Sequence, residues 1–368
     1  VSSTIEKSVQ AAVSKDKNKT PTFEQSVQKY MQLLKQKQKK FFRGAMVVMA
    51  IYLISTQPSN LDFGSSEMAL NGDVQTSKSS SKGPQVAWLM AFPNSGTTYM
   101  EKLLHTVSDR ALGTNYGHEH LDEKGEKAKI SLSKPLFDGE EGLNGPFRLS
   151  EKSVPNSGYV LTKTHCSGHC FSDCPPNWYI YSAEKFLPEC ARGDRYIPSD
   201  NAPEEQIDVQ YDHNIVGKAV HLYRNPFDNI VGRFHNERRS KVLEGNHAWT
   251  KQYPDSPEGF KAWCLDADKR FDPIQAFNSQ SANTDKEFLD LASKSFCYAE
   301  IIKYGQWHNN AHAATDSLDI PTHILHIEDF GGDLDTTLQH VLDFVELPKK
   351  KDPIPYSFNN YDSYFTKD

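Results

Sequence analysis

No apolar run in this chain is long enough for an ordinary membrane-spanning helix, which needs about 20 such residues. The uncharged apolar stretch from Gly44 to Ile54 stops well short of that. A basic excess is lacking too. The 41 Lys and Arg are outnumbered by 48 Asp and Glu, and the net charge of −7 argues against general nucleic-acid binding. No internal repeat divides the chain. No Asn-x-Ser/Thr sequon follows residue 55, so that part carries no glycosylation signal. No cluster of carboxylates points to a metal ion. What is present fits a folded body. With 37% hydrophobic and 24% charged residues, a chain of 368 residues holds one large domain and polar flanking segments.

Charge is distributed unevenly. Residues 1–43 carry a net charge of about +7 and the remainder about −14. Residues 1–40 read as a basic cytosolic tail with a weakly amphipathic stretch around Phe23–Leu34. Phe41 and Phe42, with a snorkelling Arg43, lengthen the apolar run towards the minimum for a span. Positive charge lies only on its N-terminal side. Residues 41–55 therefore read as a signal-anchor, with a buried or interfacial helix as the alternative. A cleaved signal peptide fits less well, because about forty mostly polar residues precede the run. Residues 56–84, rich in Ser, Gly and Asn, read as a flexible stem. This is the layout of a single-pass type II membrane protein with residues 85–368 as a lumenal domain. All six cysteines (Cys166, Cys170, Cys174, Cys190, Cys264 and Cys297) lie in that domain, and an even number there fits disulfides. The cluster Cys166-x3-Cys170-x3-Cys174, with His165 and His169 beside it, is a zinc alternative whose spacing departs from paired ligand knuckles.

Strand and helix signals alternate along the domain. Val86–Phe92 is a short apolar run of the kind buried in a parallel sheet. A Gly/Ser/Thr turn follows it, and then Met100, Leu103, Leu104 and Val107 at helical spacing. Tyr159–Thr164, Ile215–Tyr223 and Thr322–Ile327 are further strands. The third of the four runs into a helix from about Asp228, the fourth into a helix over Leu334–Val345. The expected fold is α/β, three layers with a central, mainly parallel sheet and a phosphate-loop-like strand–loop–helix. Ligands of such sheets sit at the C-terminal strand ends. Gly113–Lys152 and Ser240–Asp285 are polar and read as loops and insertions that shape an acceptor site.

Three segments at expected strand ends carry chemistry. The loop Phe92-Pro93-Asn94-Ser95-Gly96-Thr97-Thr98-Tyr99 offers backbone N–H groups and the hydroxyls of Ser95, Thr97 and Thr98 to an anion, with Gly96 allowing close approach. It lacks the first Gly and the Lys of Gly-x4-Gly-Lys-[Ser/Thr], which weakens an ATPase or kinase reading. Taken alone it is also compatible with an ordinary capped helix start. Lys163-Thr164-His165 places a potential general base at a strand end, with Lys163 on the same side of the strand. The plain alternative is a polar strand end. Arg224-Asn225-Pro226-Phe227-Asp228 places a bidentate phosphate ligand before a helix that Pro226 starts and Asp228 favours. A structural Arg–Asp pair is the alternative there.

In this order and spacing the segments resemble those of the sulfotransferases that use 3′-phosphoadenosine 5′-phosphosulfate (PAPS). Tyr304-Gly305-Gln306-Trp307 and His326-Ile327-Glu328-Asp329-Phe330 also resemble stretches of that family, and the likeness runs from about Val86 to Leu347. The resemblance implies that Asn94, Ser95, Gly96, Thr97 and Thr98 cradle the phosphosulfate, and that Tyr99 stacks on adenine. It further implies that Arg224 binds the 3′-phosphate, that Tyr304 touches the nucleotide, and that His165 is the base with Lys163 beside the bridging oxygen. No metal is implied. The acceptor is a hydroxyl, with a carbohydrate favoured over a protein tyrosine or small molecule, and the anchored layout fits a Golgi enzyme. Departures are Asn94 for the family's Lys, Gly232 for its Ser and Tyr99 for its Trp; Lys163 or Arg233 is the expected compensation for the missing charge. The family's late Arg-Lys-Gly stretch is not found before Asp368, and the first residue is Val, so a fragment is expected. Two other readings stand beside this one: a nucleotide-binding relative that has lost turnover, and a phosphate-loop kinase.

Overall fold

The computed structural model describes residues 84–119, 121, 133–166, 183–197, 205–271, 290, 293–357 and 361–365. The chain divides into two units, residues 1–80 with 367–368 and residues 81–366, and every described residue belongs to the second. The tail, the 41–55 segment, the stem, His169, Cys170 and Cys174 lie outside the described residues. Among the described residues no helix is long and apolar enough to cross a membrane.

The described residues form eight strands: β1 Gln85–Ala91, β2 Gly113–Thr114, β3 Phe147–Arg148, β4 Tyr159–Thr164, β5 Arg192–Ile197, β6 Glu205–Gln210, β7 Val216–Tyr223 and β8 Thr322–His326. Helices of the described residues, in chain order, are α1 Thr97–Ser108, α2 Ala183–Cys190, α3 Pro226–Leu243, α4 His247–Gln252, α5 Pro257–Arg270, α6 Tyr298–Ser317, α7 Asp329–Gly332 and α8 Leu334–Phe344. Six strands form one sheet in the order β3-β2-β4-β1-β7-β8. All of its pairings are parallel except β2 with β3. β5 and β6 form a separate antiparallel pair.

Alternation along β1 explains the layering. Ala87, Leu89 and Ala91 face one core with Met100, Leu103 and Val107 of α1 and Leu338 and Val341 of α8. Val86, Trp88 and Met90 face the other with Phe186 of α2 and Trp307 and Ala311 of α6. Both faces of β1 are therefore dry, which is why its sequence reads as a continuous apolar run rather than an alternating one. The chain leaves β1 towards β2 and β4, then returns to pair β7 on the other side. In open sheets of this kind, such a reversal beside the C-terminal end of a strand is where ligands bind.

Segment 240–285 departs from the sequence expectation. It contains α4 and α5 rather than loops alone. Phe260, Trp263, Cys264 and Ala267 are buried along α5, and a disulfide joins Cys264 to Cys297 at the start of α6. Another disulfide joins Cys166 to Cys190. Cys166 is thereby removed from the zinc alternative, and no group of metal-ligating side chains occurs among the described residues.

Candidate active site

Helix α1 begins directly behind β1. Gly96 is its N-cap, with φ of 98°, and no side chain caps the helix. The ordinary Ser/Thr cap allowed by the sequence is thus not formed, and the first-turn amides are left for another partner. A β-carbon on Gly96 would come 2.8 Å from Ile327 Cγ1, so both the backbone angle and the packing demand glycine. Asn94 also has positive φ, 67°. Asn tolerates this left-handed region better than Lys does, which is a backbone reason for the residue standing there. Ser95 is fully buried, and its Oγ accepts from Asn229 Nδ2 at 3.1 Å. The same Asn229 amide donates to the Pro93 carbonyl at 2.9 Å. Thr97 is buried and Thr98 exposed.

Arg224 follows β7 and reaches back to the loop, where Nη1 donates to the Asn94 carbonyl at 2.7 Å. Its guanidinium lies 5.6 Å from the Tyr361 ring centroid. Among the described residues no carboxylate forms an ion pair with it, so the structural Arg–Asp pair allowed by the sequence is not made. Burial pushes the Asp228 carboxyl up, and the Arg224 charge only partly opposes this. A β-carbon on Gly232 would lie 3.2 Å from Arg224 Nη1 and 3.6 Å from Asn94 Cβ. Glycine at 232 therefore makes room for the guanidinium. Arg233 does not take that place: Nε donates to Glu300, which also accepts from Lys303 at 2.8 Å.

His165 follows β4 and is 5% exposed. Its Nδ1 lies 2.7 Å from the Ala91 carbonyl. A carbonyl only accepts, so Nδ1 carries the hydrogen and the lone pair is on Nε2. Burial first, and then the nearby Lys163 charge, lowers its pKa to about 4. The ring is thus neutral over the physiological range, as a base must be. Its backbone N–H donates to Tyr116 Oη at 2.8 Å, and the two rings stack 5.7 Å apart.

Lys163 does not serve as the anion ligand that its place at a strand end suggests. The side chain is 5% exposed, and its Nζ donates to Glu119 at 2.6 Å and lies 3.6 Å from Glu101. Burial opposes its charge, but the two carboxylates outweigh that and raise its pKa. With two carboxylates against one ammonium, Glu119 stays ionised and burial holds Glu101 in the protonated form. The ammonium is committed to this group rather than presented to the loop.

Helix α6 pins both sides of the site. Trp307 Nε1 donates to the His165 carbonyl at 2.8 Å, and Tyr304 Oη donates to the Arg224 carbonyl at 2.6 Å. The positions are three apart and so share one helix face. Tyr304 thereby positions Arg224 through its hydroxyl. Glu328 accepts from the Asn225 N–H at 2.7 Å and fixes the same strand end. The Tyr99 ring belongs to a cluster with Phe330 and Tyr356, at 5.7 and 4.7 Å, and its hydroxyl donates to the Ile354 carbonyl at 3.2 Å. Tyr116, Glu119, Glu101 and Asn229 do not stand out in the sequence; their partners are remote in the chain and no local pattern marks them.

Compared with family models, with curated proteins and with solved structures, the chain finds no match.

Proposed function

We propose that the chain is a sulfotransferase that moves the sulfuryl group of PAPS to a hydroxyl acceptor. One observation carries this reading. The loop after β1 is held by Arg224, a cation with no ion-pair partner among the described residues, and the strand end that leads into it is held by His165, a neutral imidazole donating to the Ala91 carbonyl. An anion ligand and a base thus flank one uncapped helix start, which is what transfer from an anionic donor needs. The loop amides with Ser95, Thr97 and Thr98 would hold the phosphosulfate, and Arg224 the 3′-phosphate. Tyr99 would offer its aromatic edge to adenine. As the acceptor oxygen forms its bond to sulfur, His165 Nε2 would take the hydroxyl proton, and the sulfur–oxygen bond to the phosphate would break, releasing adenosine 3′,5′-bisphosphate.

A second reading is favoured by Lys163. Its ammonium is held by Glu119 and Glu101, and Asn94 is uncharged, so neither of these two positions would bring a lysine to the leaving phosphate. Donor binding with little turnover would follow, since one such contact is worth about 10²–10³ in rate. Labelled PAPS distinguishes the readings. Wild type transfers label to a hydroxyl acceptor, whereas His165→Ala loses transfer and keeps adenosine 3′,5′-bisphosphate binding. Transfer undiminished in His165→Ala would overturn the base assignment. Binding without transfer in wild type would favour the impaired relative, and displacement by ATP alone would favour a kinase.

A further inference from the structure

Three consecutive residues of the loop after β1 are tied to the segment that opens α3. The Pro93 carbonyl accepts from Asn229 Nδ2 at 2.9 Å, the Asn94 carbonyl from Arg224 Nη1 at 2.7 Å, and Ser95 Oγ from Asn229 Nδ2 at 3.1 Å. Arg224 is half-buried, whereas Asn229 and Ser95 are fully buried. The loop needs such support. Asn94 and Gly96 hold φ of 67° and 98°, a left-handed backbone that persists only where the surroundings fix it. The Asn229 amide is also marked by what it lacks. A carbonyl only accepts, so the bond to Pro93 fixes which end of the amide is nitrogen. Nδ2 then directs both hydrogens at the loop, and Oδ1 is left buried with no partner among the described residues.

Nearly all buried polar atoms find partners, so a fold that leaves one orphaned needs a reason. Helix formation does not supply it, because Ala suits a helix better than Asn does. Nor does packing, because an apolar side chain at 229 would leave the Pro93 carbonyl and the Ser95 hydroxyl without their donor. We infer that Asn229 is a positioning residue: its amide braces Pro93 and Ser95 from the buried side and so presets the loop whose uncapped first-turn amides meet the anion. The inference rests on the anion-binding part of the transfer reading and adds to it a residue that touches no ligand. Ser95 then contributes through the shape of the loop, with its hydroxyl held at α3.

The test measures binding of adenosine 3′,5′-bisphosphate and of pyrophosphate to the purified full chain by calorimetry, with urea unfolding alongside. Asn229→Ala is expected to weaken both anions about tenfold. Asn229→Asp keeps the size but sets a carboxylate against the Pro93 carbonyl, and should weaken them about thirtyfold. Part of the effect runs through Ser95, so the truncation should matter less once that partner is gone. In a Ser95→Ala background Asn229→Ala is expected to weaken binding only about threefold. A residue that merely stabilised α3 would change the urea midpoint and show no such coupling in affinity. Equal effects in the two backgrounds, or wild-type affinity in Asn229→Ala, would overturn the brace. Should Asn229→Ala fail to fold, Ser95→Ala cuts the same link from the loop side, and undiminished affinity there would overturn it as well. Pyrophosphate separates this inference from the transfer reading. Coupled binding of pyrophosphate without binding of the nucleotide keeps the brace and removes the transfer reading. Nucleotide binding without the coupling keeps the transfer reading and removes the brace. Binding of neither anion overturns both.

Discussion

Lys163 and Arg224 stand at the C-terminal ends of the two strands that flank β1, yet their surroundings are opposite. Lys163 is buried between Glu119 and Glu101. Arg224 is half-buried, and it touches a carbonyl and an aromatic ring. Both are cations at strand ends, and the sequence offers no obvious way to rank them. The difference teaches that a cation at a strand end marks an anion site only when the fold leaves it without a carboxylate. On the transfer proposal, the β4 end would then carry the base and the β7 end would meet the anion.

The comparison breaks most sharply under mutation of the two ends. Glu119→Ala leaves the buried Lys163 with Glu101 alone, at 3.6 Å, and removing one partner of a buried pair costs about 3–5 kcal/mol. Arg224→Ala removes one hydrogen bond and one ring contact, about 1 kcal/mol or less. In binding the order reverses: Arg224→Ala weakens adenosine 3′,5′-bisphosphate about 10–100-fold, through loss of a charge-assisted contact. Urea unfolding and calorimetry on the two variants check both statements. A stable Glu119→Ala protein, or an Arg224→Ala protein that binds as wild type does, would erase the distinction.

Acid separates the two ends next. Arg224 keeps its charge throughout, whereas His165 changes. Its folded pKa is lowered to about 4 by burial and by Lys163. The unfolded chain takes up this proton near the ordinary value of about 6.5, so the contribution is fully present above that and is lost as pH falls to about 4. At about 1.4 kcal/mol per unit, the loss amounts to about 3 kcal/mol. His221, lowered to about 3 by burial and by His312, adds a further loss in the same direction. Urea unfolding of wild type and His165→Gln at pH 7 and pH 4 is expected to show a shallower decline in the variant. Equal declines would mean that His165 is not held neutral by the fold.

Much of the fold is legible in the sequence because β1, β4 and β7 are largely buried strands with short apolar runs, and Tyr159–Thr164 is bounded to the residue; β8 is an edge strand with only Leu325 buried. The loop, His165 and Arg224 are legible because each lies where a strand stops. Lys163 stands out too, but its partners do not, because Glu119 is 44 positions away and nothing local announces the pair. The helices in 240–285 carry local signals that their polar composition masks. Ser256 caps α5 and Pro257 opens it, while Phe260, Trp263, Cys264 and Ala267 follow helical spacing. The polar residues between them conceal a one-sided helix.

The smallest effect gives the finest test of why Arg224 is placed as it is. Gly232 lies inside α3, where Ser is a better helix former than Gly by a few tenths of a kcal/mol, about 0.5 at most. Gly232→Ser is therefore expected to leave stability unchanged or slightly raised. The added β-carbon would sit 3.2 Å from Arg224 Nη1, a group already tied to the Asn94 carbonyl at 2.7 Å. The guanidinium must shift by a few tenths of an ångström, and its aim at an anion shifts with it. Adenosine 3′,5′-bisphosphate affinity should fall about threefold, a fraction of one charge-assisted hydrogen bond. The opposite sign is also informative. If the new hydroxyl contacts the nucleotide's phosphate itself, affinity rises, and Gly232 is then a missing ligand rather than a space reserved for Arg224.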